Sequence, residues 1–178
     1  LNMIWFLKNR AYPIGVDISN DSVKLIQLGN DDKDDKEVTL IAGGSENRPE
    51  SIEPSSANWQ RWAIEAIEKI IANNKFRGRS VIAAIPANEV LIDHIKVPKT
   101  DDDKLEEVVF SKMKHKLPFE LDKAMIKYIP TENDNVMVIA TEREKIDRHL
   151  AIYEKTQLAI QSIGVWPIAL TNSYTKFF

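Results

Sequence analysis

The residues best placed for chemistry lie near the start of the chain. Ile14–Ile18 and Val23–Leu28 are β-rich runs, and the polar turn Ser19-Asn20-Asp21-Ser22 joins them between Asp17 and Lys24. A hairpin turn of this kind gathers short polar side chains and backbone amides at one point, where a ligand can be met. The other signals are thinner. The three histidines, His94, His115 and His149, fall on separate predicted elements with no ligand spacing, and they read as partly exposed helix and strand residues. Cysteine is absent, which removes thiolate zinc sites, disulfides and cysteine nucleophiles. No serine stands in a nucleophile elbow and no carboxylate pair is fixed by spacing, so the residues alone give enzymatic hydrolysis no support. Lys112, Lys114, His115 and Lys116 form a modest basic patch without interleaved aromatics, which suits solvent or an acidic partner better than nucleic acid.

The elements that must position these residues come from 178 residues, 43% of them apolar and 29% charged, enough for one good core or two small ones. A net charge of -3, from 24 basic and 27 acidic residues, excludes the strong basic excess of a general nucleic-acid binder. No apolar run reaches the roughly 18 residues that span a bilayer. The opening Leu1–Leu7 is apolar but short, and Lys8 and Arg10 follow it without a small-residue cleavage site. It is a poor signal peptide and at most a membrane-surface segment, so the expected location is cytoplasmic. Asn30–Glu37 is a charged run without the glycine and terminal glutamate of a calcium loop, and it predicts a wet loop.

A third strand is expected at Val38–Ala42, then an exposed connection over Gly43–Pro54. Ser55 or Ser56 caps a helix running to about Asn74, with Trp59, Trp62, Ala63, Ala66, Ile67, Ile70 and Ile71 on one face. Ser80–Ile85 supplies the next strand, so the first part reads as β-β-β-α-β. Beyond Pro86, a strand over Val90–Val97 is closed by Pro98-Lys99-Thr100. A helix then begins at Thr100, with Asp103 at the capping-box distance. Its buried stripe is Leu105, Val108, Val109 and Met113, and Leu117-Pro118-Phe119 ends it. Strands near Ala124–Ile129 and Val136–Ala140 flank the turn Glu132–Asn135. Thr141 and Glu144 form a capping box for a helix to about Gln157, with Ile146, Leu150 and Tyr153 buried. Ser162–Trp166 reads as a return strand, and Pro167 opens a last helix that is marginal alone and needs a partner surface.

These residues resemble a known family. Ile14-Gly15-Val16-Asp17-Ile18-Ser19-Asn20-Asp21-Ser22-Val23-Lys24-Leu25 is similar to the first strand, phosphate loop and second strand of the PilM-type pilus-assembly proteins, members of the actin-like ATPase superfamily related to the cell-division protein FtsA. Ala83-Ala84-Ile85-Pro86, Val90-Leu91-Ile92, Leu105–Val109 and Leu117–Leu121 resemble the passage through that family's inserted subdomain. Val136–Ala140, Lys145-Ile146-Asp147 and Gly164–Leu170 resemble the return to the first domain. The resemblance implies α/β and α+β architecture, a partial actin-like (ribonuclease H-like) subdomain with an inserted small α+β subdomain. It divides the chain into residues 1–86, the insertion core at 87–140, and a helix and return segment at 141–178. The family's second half is missing from it.

The resemblance further implies that Asp17 would hold water on Mg²⁺, that the amides of Ser19 to Ser22 would face phosphate, and that Lys24 would add positive charge. The sequence departs from the family where Ser19 and Asn20 stand in place of a permissive glycine and Asp21 brings a like charge toward phosphate, so a purely structural turn is the other reading. ATP and Mg²⁺ are expected only of a complete protein, and no cofactor is expected of this chain alone. The main expectation is a cytoplasmic scaffold that receives the short cytoplasmic tail of an inner-membrane pilus protein. Ile85, Pro86, Val90, Leu117, Phe119 and Trp166 are either the lining of its groove or core residues. An ATPase completed by a second half, a self-assembling ring or filament subunit, and an adaptor of type II secretion or competence are the alternatives.

Overall fold

The computed structural model describes residues 11–30, 38–97 and 102–177. The apolar opening Leu1–Leu7, the charged stretch from Asp31 to Glu37 and the closure and cap at Pro98-Lys99-Thr100 lie outside the described residues. The chain divides into two units, Leu1–Pro86 with Leu150–Phe178, and Ala87–His149.

The first unit is built on a five-stranded sheet of order β3-β2-β1-β4-β8. β1 (Ile14–Ile18) and β2 (Ser22–Asn30) form the expected hairpin, in register from Gly15 opposite Ile26 to Ile18 opposite Val23. β3 (Val38–Asn47) pairs antiparallel with β2 along its full length. The exposed connection expected from Gly43 therefore starts five residues late. Gly44 marks close packing and no turn, for a Cβ there would stand 2.7 Å from Ile70 Cγ2. α1 (Ala57–Asn73) begins where Ser56 Oγ accepts the amide of Trp59, and it buries Trp59, Trp62, Ala63, Ala66, Ile67 and Ile70. β4 (Ser80–Ile85) then runs parallel to β1.

The second unit has a three-stranded antiparallel sheet, order β5-β7-β6, from β5 (Leu91–Lys96), β6 (Ala124–Pro130) and β7 (Asn135–Glu142). α2 (Asp102–Met113) supplies Val109 and Met113 to its core, beside Ile95, Val97, Val136 and Val138, while Leu105 and Val108 pack at the margin. The β6–β7 turn places Asn133 and Asp134 at positive φ, where short polar side chains are tolerated.

β7 extends to Glu142, so Thr141 is a strand residue and caps nothing. Its hydroxyl donates to the backbone oxygen of Glu89 at 2.7 Å. α3 (Arg143–Lys155) buries Ile146, His149, Ile152 and Tyr153, whereas Leu150, expected inside, is 41% exposed. The stripe runs through 146, 149, 152, 153 and 156, a helical i, i+3, i+6, i+7 progression that turns Leu150 outward. His149 is 1% exposed, which corrects the reading of all three histidines as partly exposed. β8 (Ala159–Val165) pairs parallel with β4, and α4 (Trp166–Phe177) carries Pro167 in its first turn.

α3 ends in a left-handed residue, Gln157 at φ 56°, while Leu158 N donates to Tyr153 O and Gln157 N to Glu154 O. This double reversal suits glycine, and a side chain there carries backbone strain. Gln157→Gly is therefore expected to stabilise the fold by about 0.5–1 kcal/mol, read as a higher midpoint in thermal unfolding; a lower midpoint would contradict the strain.

Candidate functional site

The β1–β2 hairpin brings the sequence-predicted phosphate residues together. Asp17 and Lys24 are cross-strand partners, and their charged groups lie 3.9 Å apart with both side chains about half exposed. Pairing follows from the register, since directly opposite side chains on one face of an antiparallel pair meet. In the turn itself, Ser19 Oγ accepts the amides of Asp21 at 3.3 Å and Ser22 at 3.1 Å, and Ser19 N donates to Ser22 O at 2.9 Å. These three amides are thus engaged within the turn. Arg48, after β3, locks it from outside: its Nε donates to Asn20 O, its backbone N donates to Asp21 O at 2.8 Å, and its guanidinium lies 3.6 Å from the Asp21 carboxylate. Trp59 Nε1 donates to Ser19 O at 3.4 Å, so the first turn of α1 also holds the hairpin. Among the described residues, the buried Asn20 Oδ1 and the Tyr153 hydroxyl find no hydrogen-bond partner. Burial pushes the Tyr153 phenol up, and the charge of Asp17 pushes it the same way.

Asp17 and Lys24 also line a cleft of about 950 Å³ on the sheet face away from α1. Gly15, Gly43, Ala84 and Gly164 make its low floor, Ile26, Leu40 and Ile82 its apolar walls, and Ile168, Ala169 and Asn172 of α4 one side. Sequence reasoning missed this cleft. The signal was present in consecutive apolar positions: Leu25-Ile26 in β2 and Val81-Ile82-Ala83-Ala84 in β4 are apolar toward both faces, as strands covered on both sides are. Among the described residues no three His, Asp or Glu side chains gather as a metal site, Asp17 included.

The residues expected to meet a partner have different surroundings. In the first unit, Ile85 and Pro86 are buried at the end of β4, and Trp166, first residue of α4, is 50% exposed. In the second unit, Val90 precedes β5, Leu117 and Phe119 follow α2, and all three are half-buried.

One polar cluster of the second unit was also missed. Glu89, 3% exposed at the end of a 3-10 turn (Ala87–Glu89), receives Arg148 Nη2 on Oε1 at 3.0 Å and sits 3.0 Å from His149 Nε2 through Oε2. Burial alone would raise its carboxyl, but the His149 hydrogen bond and the positive charges of His149, Arg148 and Lys145 outweigh that and hold it below the ordinary glutamate value. No spacing in the sequence announces a pair 60 residues apart.

A family model described as type IV pilus assembly protein PilM matches residues 15–177. Among solved structures, the chain is similar to a chain of a PilM–PilN type IV pilus biogenesis complex, with TM-score 0.74 and 20% identity, covering 88% of this chain and 48% of that one. It is also similar to the cytoplasmic domain of EpsL, an inner-membrane component of the type II secretion system of Vibrio cholerae, with TM-score 0.61 and 12% identity, covering 84% and 56%. A Bacteroides thetaiotaomicron protein of actin-like ATPase fold and unknown function overlaps at TM-score 0.42 and 10% identity, too slight a likeness to build on. The chain spans about half the length of the first two solved chains, and at these identities the likeness is one of fold. No curated protein matches the sequence.

The Glu89 cluster gives a pH prediction. A carboxyl held below its ordinary value of 4.5 contributes stability that is complete above that pH and is lost as pH falls through the lower native value. Acid titration of the folded protein is expected to loosen the second unit below about pH 4.5, and Glu89→Gln to flatten that acid limb; an unchanged limb in the variant would contradict the assignment.

Proposed function

Since the chain belongs to the PilM family of type IV pilus assembly proteins, we propose that it is part of a cytoplasmic scaffold that binds the short cytoplasmic tail of an inner-membrane pilus protein. The observation that carries this reading is the family match over residues 15–177. The shared fold with a chain solved in a PilM–PilN complex and with the cytoplasmic domain of an inner-membrane secretion component supports it. Among the described residues no helix is long and apolar enough to cross a membrane, and on this reading the membrane is reached through the partner. The first unit is read as the actin-like, ribonuclease H-like subdomain, with residues 87–140 as the core of its insertion and residues 141–178 as the return.

The candidates for tail recognition are Trp166 in the first unit, where Ile85 and Pro86 are buried at the end of β4, and, taken separately, Val90, Leu117 and Phe119 in the second. Trp166 leads because a half-exposed indole offers a large apolar face and a polar N–H at little entropic cost, the combination that dominates binding energies. Titrating this chain with a labelled peptide of the partner's tail, against a scrambled peptide, is expected to give saturable, sequence-specific binding that Mg-ATP leaves unchanged. Trp166→Ala is expected to weaken it by about tenfold or more. No saturable binding of the true tail would overturn the reading.

A second reading rests on one observation, that Asp17 and Lys24 line the cleft. In a longer protein, Asp17 would hold water on Mg²⁺, Ser19 and Ser22 would flank phosphate, and Lys24 would leave Asp17 to meet it. The Asp17–Lys24 pair and the amides engaged within the turn stand against such binding in this chain alone. Mg-ATP binding by the longer protein that Asp17→Ala abolishes would establish this reading; its absence would leave the hairpin a structural turn.

A further inference from the structure

The Glu89 cluster belongs to neither apolar core, and neither functional reading uses it. Its position is unusual. Glu89 stands in the first turn of the Ala87–His149 unit, and Arg148 and His149 are that unit's last two residues. Three contacts of 2.7 to 3.0 Å converge on this one residue: Thr141 Oγ1 on its backbone oxygen, Arg148 Nη2 on Oε1 and His149 Nε2 at Oε2. They bridge separations of 52, 59 and 60 residues.

We propose that Glu89 is a clasp joining the two ends of the Ala87–His149 unit, so that this unit opens and closes as one cooperative body while the five-stranded sheet stays folded. A carboxylate this deeply buried is tolerable only with its cationic partners in place, so it does not let go of one and keep the other; release means hydration of the whole cluster. Arg148, His149 and Lys145, which lower its carboxyl, all lie on the first part of α3, so separating the two ends breaks these contacts together. Finally, the clasp closes a long loop, and freeing it gives back chain entropy to the ends first. The apolar cluster of the sheet takes Ile152, Tyr153 and Leu158 from the chain after His149, so the sheet keeps its hold on the later part of α3 when the clasp opens. Local opening of contiguous cooperative units is a general mode of protein motion, and here a single side chain marks the boundary of one.

Native-state amide hydrogen exchange on this chain tests the clasp independently of any partner. In Glu89→Ala, peptides covering 87–97 and 135–149 are expected to exchange faster together, by about tenfold or more, while those of β1, β2, β4 and α1 are unchanged. Equal acceleration in the sheet, or none at either end of the unit, would overturn the proposal. If Glu89→Ala does not fold, Arg148→Gln, on the partly exposed arm of the cluster, serves instead: faster exchange at 87–97, the end remote in sequence from the substitution, upholds the clasp. Acceleration confined to the amides of α3 itself overturns it.

Discussion

The parallel pairing of β4 with β8, from Ser80 opposite Ala159 to Ile85 opposite Val165, is the constraint on which the rest of the architecture depends. Parallel neighbours cannot be joined by a tight turn; the chain must leave one end of the sheet and return to the other. Here that crossover carries the whole of the Ala87–His149 unit together with α3. Within that unit, the cluster around Glu89 ties the first turn to Arg148 and His149. The second half of α3 then does what a crossover helix does, packing Ile152 and Tyr153 into the core that α1 already shares with β1, β2 and β4.

The same constraint explains the apolar cleft. A sheet whose middle strands run parallel is ordinarily covered on both faces. α1 and the later part of α3 pack with its inward residues, Val16, Val23, Leu25, Val81 and Ala83, while Ile26, Leu40 and Ile82 point the other way and stay 44 to 66% exposed. α4 lines that side of the sheet. α4 is itself apolar on two faces, with Ile168 and Ala169 toward the cleft and Trp166, Leu170 and Tyr174, spaced by four, at least half exposed. Asp17 and Lys24, cross-strand partners in register, line the same cleft.

Much of this was legible in the residues, for reasons that differ by element. Period-2 and period-3.6 patterns located β1, β2, α1, β4 and the core stripe of α2, because burial on one face imposes the pattern directly. The family, too, was recognisable from strings such as Ile14–Leu25 and Gly164–Leu170, and it is the family whose model matches. Failures came where a residue's local chemistry had been overruled by its tertiary place. Gly43 and Gly44 read as loop because glycine commonly marks turns, yet both lie in β3, and at Gly44 the approach of Ile70 leaves no room for a Cβ. Thr141 and Glu144 have capping-box spacing, but the ladder with β6 continues through Glu142 and spends Thr141 on Glu89. His149 and Glu89 gave no signal at all, since a buried pair so distant in sequence leaves no periodic trace.

The central claim, that this chain docks a membrane protein's cytoplasmic tail, is tested most directly by mapping amide and indole chemical shifts during titration with that tail. The account predicts progressive, saturable shifts at the Trp166 indole, with the Asp17–Lys24 hairpin unmoved. Shifts confined to that hairpin and the cleft floor, or no shifts at saturating peptide, would contradict it.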